Sequence, residues 1–242
     1  MLVFGSGNLY GINSAANSTP RKLGNLQDVS FDFSYELKQM YGQNNIAIDL
    51  RRGKGKIGGK AKYSNLNGAA INDLFFSQTA TTGLLQSSVS EAGTIPSSTA
   101  YTVTAVNSAT WTTDLGVVYA ATGLPFSKVA SGPTVGQYSV AAGVYTFAAA
   151  DAGQGVLIDY LYTATTGGTQ IAINNQLMGT TPFFMGVFTA NVGGKIVTLQ
   201  LNSCTSSKLT LATKLDDYTI PEFDFDAMAN AAGSIGILSI TN

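Results

Sequence analysis

In QDVSFDFSYELK, residues 27 to 38, Val29, Phe31, Phe33, Tyr35 and Leu37 fall on odd positions. Asp28, Ser30, Asp32, Ser34, Glu36 and Lys38 fall on even ones. A side-chain period of two belongs to the β-strand. The run therefore predicts a long strand with one buried face and an exposed face carrying Asp28, Asp32 and Glu36. The same alternation returns near the end of the chain in YTIPEFDFDAMA, where Phe223 and Phe225 share one face and Glu222, Asp224 and Asp226 the other. Two carboxylate-bearing strands thus bracket the sequence.

Between them lies RRGKGKIGGKAKY, residues 51 to 63, which holds six of the thirteen basic side chains of the chain. Glycine and lysine together invite a phosphate-binding reading. A P-loop needs Gly, then Gly five residues on, then Lys and a hydroxyl residue. From Gly53 the residue after the second glycine is Gly59 rather than Lys, and Lys60 is followed by Ala61, so the magnesium-binding hydroxyl is missing. GKGKIG, residues 53 to 58, matches G-x-G-x-x-G in form. That motif works by aiming a helix N-terminus at the pyrophosphate, and no helical pattern follows here.

Period two describes the segment better. Arg52, Lys54, Lys56, Lys60 and Lys62 are on even positions, with Gly53, Gly55, Ile57, Gly59, Ala61 and Tyr63 on odd ones. This predicts a strand with a basic face and a small-residue face, the glycines admitting close approach of another backbone. The basic face complements the acidic strands, within the fold or between subunits, which makes Arg52, Lys54, Lys56, Lys60 and Lys62 candidate subunit-interface residues. A DNA-binding strip wants aromatic side chains for stacking, and only Tyr63 is at hand.

One helix is expected, with Asn67 as its cap and Ala70, Ile71, Leu74 and Phe75 on one face. Residues 84 to 165 read as short strands, AYTVTAV, LGVVYAA, PFSKVA, GQYSV, GVYTFAA and GVLIDYLYT, separated by turns every 8 to 12 residues, the cue for a β-sandwich. SSVSEAGTIPSST reads as a polar join into this region and TATTGGTQ as the return. Charge marks the same boundaries. Residues 81 to 170 carry one basic and four acidic side chains, against nine and five in residues 1 to 80. The expected organisation is a discontinuous β core, 1–83 and 166–242, with an inserted β-rich module at 84–165. The fold class is mainly β: two packed antiparallel sheets as a barrel or sandwich, with one flanking helix.

Composition narrows function. There is no histidine and one cysteine, Cys204, so an intrachain disulfide, a Cys/His zinc site and Ser-His-Asp or Cys-His catalysis in their usual forms are excluded. Cys204 reads as a half-buried small residue. Asp216 and Asp217 are adjacent and point apart on a strand. Asp224 with Asp226, and Asp28 with Asp32, share faces at a spacing that admits a glycosidase-like pair, though solvated strand faces carry such pairs routinely. DAGQG at 151–155 has too few oxygen ligands for a calcium loop. Trp111 and neighbouring tyrosines suit either sugar stacking or core packing. No apolar run approaches a membrane helix, and the N-terminal residues show no signal-peptide pattern, so synthesis and first use in a cytoplasm are expected. No catalytic residue, cofactor or metal site is expected. Charged residues make up only 11% of the chain, which suits a surface covered largely by copies of itself.

FGSGNLYGI, GNLQDVSFDFSYELKQMYGQ, RRGKGKIGGKAKYSNLNGAAINDLFF and the closing LDDYTIPEFDFDAMANAAGSIGILSI resemble the tail tube (major tail) proteins of tailed bacteriophages. The middle region resembles β-rich modules of phage structural proteins. The resemblance implies a virion protein, made in the host cytoplasm, with no enzymatic activity. Six copies would form a ring whose inner sheets join into one barrel, and rings would stack into a tube for genome delivery. It further implies a lumen lined by carboxylate strands, with Asp28, Asp32, Glu36, Glu222, Asp224 and Asp226 as candidates, so that DNA passes without specific binding. Partners would be the protein itself and sheath, tail terminator, baseplate or tape-measure proteins. The alternatives are a capsid decoration or fibre protein, and a carbohydrate-binding module using Trp111.

Overall fold

The computed structural model describes residues 5, 7–65, 67–213, 215, 216, 218 and 220–241. The chain is mainly β, with antiparallel sheets and one short helix, as its periodicity indicates. It divides into two compact units, Met1–Ala80 with Ile171–Asn242, and Thr81–Gln170. The expected joins were 83/84 and 165/166. The units instead divide at 80/81 and 170/171, because the strands that leave and rejoin the first unit are long. β5 (Ala80–Thr94) runs through most of the stretch expected to be a polar join, and β11 (Gly155–Ile171) continues through the expected return. The two pair with each other, and that pairing supplies the backbone hydrogen bonds that an unpaired polar join would leave to water.

In the first unit, eight strands among the described residues form one hydrogen-bonded sheet. Its order is β2 (Arg21–Leu23), β1 (Asn8–Asn13), β12 (Phe184–Val192), β13 (Lys195–Thr210), β14 (Glu222–Ala227), β4 (Ala47–Tyr63) and β3 (Leu26–Tyr41). β15 (Gly236–Ile240) pairs with β13 on the edge that β14 also uses, over Val197–Leu201 rather than Cys204–Thr210. All of these pairings are antiparallel. The sheet curls back on itself. Phe31 of β3 packs on Phe188 of β12 with ring centroids 5.3 Å apart, although three strands separate them in the sheet. The enclosed core holds Leu9, Leu26, Tyr63, Phe184, Leu199, Cys204, Phe223 and Phe225.

The helix α1 (Gly68–Ile71) starts where the sequence predicts. The Asn67 side-chain oxygen accepts from the N–H groups of Ala69 (3.0 Å) and Ala70 (3.2 Å), satisfying two orphan donors of the first turn. It continues as a π-helical turn over Asn72–Phe76 and stops at Ser77, which is left-handed with φ 49°. Leu74, 1% exposed, seats its methyls over Gly11 of β1, where a Cβ would lie 2.5 Å away. No helix among the described residues is long and apolar enough to cross a membrane.

The second unit packs two sheets face to face. One has the order β6 (Thr102–Thr104), β10 (Val144–Phe147), β9 (Gln137–Ala141), β8 (Ser127–Lys128); the other is β5, β11, β7 (Trp111–Tyr119). Tyr138, Tyr145 and Phe147 from the first meet Val117, Val156, Ile158 and Tyr160 from the second in one buried cluster. The β8–β9 pair is parallel; β6, β9 and β10 pair antiparallel, as do β7 and β11.

Candidate assembly surface

β4 lies between the two acidic strands that the sequence singled out. On one side Asp28 is opposite Lys62 and Ser30 opposite Lys60; on the other Glu222 is opposite Lys62 and Asp224 opposite Lys60. Gly58 is opposite Asp32 on one flank and Asp226 on the other. The charges meet across the strands. Lys60 Nζ is 2.8 Å from Glu222 Oε1 and 3.8 Å from Asp224 Oδ1, and Lys56 Nζ is 3.2 Å from Asp226 Oδ1. Lys208 of β13 stands 3.8 Å from Glu222. The hydrogen bond from Lys60 holds the Glu222 carboxyl below its ordinary range, and the same bond, with the Asp224 charge, pushes the Lys60 ammonium up. Solvent screens pairs of this kind, so they fix register more than they stabilise.

The glycines of β4 face side chains, not another backbone as expected: Gly55 and Gly59 face aromatic rings, Gly53 the Lys38 side chain and Gly58 the Asp226 carboxylate. A Cβ on Gly59 would lie 2.3 Å from Cζ of Phe225, so that ring rests directly on the strand. Tyr35 covers Gly55 in the same way, at 2.7 Å. A glycine gap filled by a cross-strand aromatic side chain pins the register of the pair.

The predicted basic face is not uniform. The β3–β4 register shifts between Tyr35 and Leu37: Tyr35 is opposite Gly55, but Leu37 is opposite Arg52. β4 thus spends one extra residue, which carries Arg52 to the face of Tyr35, and its guanidinium sits 4.8 Å from the centre of that ring. Lys56, Lys60 and Lys62 remain together on the other face. Lys54 makes no ion pair among the described residues. Glu36, opposite the bulge, pairs with its neighbour Lys38 at 3.1 Å.

The expectation that the odd face of β3 is buried along its length is overturned. Val29 and Phe31 pack against the core, but Phe33, Tyr35 and Leu37 are 51%, 48% and 61% exposed. The strand outruns the sheet beneath it. Leu50, opposite Gln39, joins Phe33, Tyr35 and Leu37 on this face, while Met40 stands on the opposite one. Ile46 and Ile48 are exposed near the tip. From Phe33 to Tyr41 the arm extends about 27 Å at 3.4 Å per residue. One sign of this is legible in the chain itself: apolar residues continue past Leu37 through Met40, Tyr41, Ile46, Ile48 and Leu50 with no helical or core-like stop.

Among the described residues the eight-stranded sheet has three strands paired on one side only: the three-residue β2, β3 and β15. β3 pairs only with β4, and β15 pairs only with β13. Ile237, Leu238 and Ile240 of β15 are exposed on both faces of the strand. A long exposed apolar edge is a template for another chain.

Other candidates resolve into structure. Asp151, 2% exposed, accepts from the Tyr119 hydroxyl and the Gly136 N–H, both at 2.9 Å, and so ties the 120–136 segment down. Asp114 accepts from the Tyr138 hydroxyl at 2.8 Å and meets Lys128 at 2.9 Å. Trp111 donates its indole N–H to the Tyr145 hydroxyl at 3.3 Å and packs, partly buried, against a core that includes the buried rings of Tyr138, Tyr145 and Tyr160. Cys204 is fully buried rather than half-buried, and burial pushes its thiol up to about 12. Asp28 with Asp32 and Asp224 with Asp226 border the lysines of β4. Asp216 is exposed, and Asp217 lies outside the described residues. Among the described residues no three of His, Cys, Asp and Glu are grouped to hold a metal ion. No protein-family model matches the chain, and no curated protein matches it.

Proposed function

We propose that this chain is a structural protein that assembles with copies of itself, as a subunit of a phage tail tube. The observation that carries the reading is the β3–β4 arm, whose core face continues past Phe31 with Phe33, Tyr35, Leu37 and Leu50 uncovered. Burying such side chains is worth about 1.5–3 kcal/mol each, and a chain that keeps several exposed on one hairpin has a partner for them. Two of the free sheet edges, β3 and β15, differ from each other. An interface between unlike edges is heterologous, and heterologous contacts with the right rotation close into rings.

The charged face of the hairpin supports the same reading. Asp28, Asp32, Glu36, Asp49, Glu222, Asp224 and Asp226 stand among Lys38, Arg51, Lys56, Lys60, Lys62 and Lys208, seven acids to six bases. A face without positive excess lets a polyanion slide past it, since tight DNA binding needs uncompensated cations. Contacts with sheath, terminator, baseplate or tape-measure proteins, and use within a virion, belong to this proposal. The carbohydrate-binding alternative is weakened by the burial of the tyrosines around Trp111.

Sedimentation of the purified protein over a range of concentrations, followed by negative-stain electron microscopy, tests the reading. Rings with a central hole, or tubes, support it. Compact trimers favour a decoration or fibre protein, and a chain that stays monomeric at high concentration overturns self-assembly.

A further inference from the structure

We infer that Thr81–Gln170 is a thermodynamically independent module carried between Ala80 and Ile171, and that the first unit keeps its fold when the module is unfolded. The two buried clusters share no residue. One is built on Leu9, Leu74, Phe184, Cys204, Phe223 and Phe225, the other on Ile95, Val117, Tyr145, Val156, Ile158 and Tyr160. The hydrogen-bonded sheets are also separate: the eight-stranded sheet holds no strand of the second unit, and the three- and four-stranded sheets lie within it but for Ala80 and Ile171, the outermost residues of β5 and β11.

The chain leaves and re-enters the first unit at one place. The Asn174 amide donates to the Gln78 side-chain oxygen at 3.3 Å, so the residues flanking the excursion are neighbours. Just inside the second unit the strands are again side by side, with the Gly83 carbonyl oxygen 3.2 Å from where a Gly168 Cβ would lie. The first unit therefore has its ends already together, and closing them costs little loop entropy whatever lies between. The second unit has the size of a self-sufficient domain and anchors its buried carboxylates, Asp114 and Asp151, with its own donors. Two cores without shared members unfold as two cooperative units.

The sequence supplies one reporter for each. Trp111 is the only tryptophan and belongs to the second unit; Cys204 is the only cysteine and is buried in the first. The test is urea unfolding of the full chain, read by Trp111 fluorescence and by reaction of Cys204 with a thiol reagent, in the wild type and in Ile158→Val, Ile158→Ala and Phe223→Leu. The expected result is that both Ile158 variants lower the Trp111 midpoint and leave the Cys204 midpoint in place, while Phe223→Leu does the reverse. Should Ile158→Ala leave the second unit unfolded without urea, Cys204 stays protected. A joint shift of both midpoints in any variant, or exposure of Cys204 in Ile158→Ala, overturns the inference.

Discussion

Lys60 bonds Glu222 diagonally, Nζ to Oε1 at 2.8 Å, although the strand register places Lys60 opposite Asp224 and Glu222 opposite Lys62. One lysine thereby serves two carboxylates of β14, since Asp224 is 3.8 Å from the same nitrogen. The β4–β14 seam is held by a ladder in which each charge leans toward the next rung. That arrangement has a pH signature.

Glu222 has its pKa lowered from 4.5, so its contribution to stability is complete above 4.5 and is lost as pH falls through the depressed folded value. Lys60 has its pKa raised from 10.5, so its contribution is complete below 10.5 and is lost as pH rises through the raised folded value. Between those limits the pair contributes a constant amount. Urea midpoints read by Cys204 exposure should therefore show an acid limb that is shallower in Glu222→Gln and an alkaline limb that is shallower in Lys60→Met. An acid limb identical in Glu222→Gln and wild type would remove Glu222 from the account.

Gly59→Ala tests the seat of the Phe225 ring. The new Cβ would lie 2.3 Å from Cζ, and Phe225 is 2% exposed with no room to swing. Destabilisation of about 1–3 kcal/mol is expected, as for overpacking in a filled core. Gly58→Ala meets only the carboxylate end of Asp226, at 2.9 Å, and should cost less. Chemical denaturation of the two variants side by side checks the order; equal costs would mean that the ring moves freely.

Leu37→Asp with Leu50→Asp separates folding from assembly. Both side chains are more than half exposed, so the double variant should unfold within about 0.5 kcal/mol per site of the wild type. Its sedimentation should show the loss of higher species. Assembly at the wild-type concentration threshold would take the arm out of the interface.

Lys54→Glu and Lys56→Glu are not equivalent, although they stand two residues apart on one strand. Lys56 pairs with Asp226 of its own chain at 3.2 Å, while Lys54 makes no ion pair among the described residues. Lys56→Glu should lower stability by up to about 1 kcal/mol and Lys54→Glu should not, whereas Lys54→Glu should raise the concentration needed for assembly in a salt-dependent way. Light scattering against ionic strength reads the second effect. Normal assembly of the doubly substituted protein would refute a role for the basic strand between subunits.

In the second unit, Tyr119→Phe leaves the Asp151 carboxylate, 2% exposed, with the Gly136 N–H as its remaining donor. A buried group deprived of a partner costs about 1–3 kcal/mol, more when it is charged. Trp111 fluorescence in urea should show a fall of that size. No change would mean that water takes the place of the hydroxyl.

Local periodicity was enough to locate β3, β4 and β14, to put Phe223 and Phe225 on one face and Glu222, Asp224 and Asp226 on the other, and to start the helix at Asn67. These features are set by backbone dihedrals and near neighbours, which a short window of residues contains. The absence of histidine excluded whole classes of chemistry by count alone. Tertiary structure decided the rest. How far the apolar face of β3 is covered depends on where β12 curls over it, and that coverage ends beyond Phe31. The bulge opposite Glu36 flips Arg52 onto Tyr35 because one strand must absorb an extra residue, a mismatch visible only once both strands are paired. The Gly59 gap is filled from β14, more than 160 residues along the chain, since only the strand order brings Phe225 to it. Alternation states which way a side chain points; whether anything lies there to receive it is a property of the whole fold.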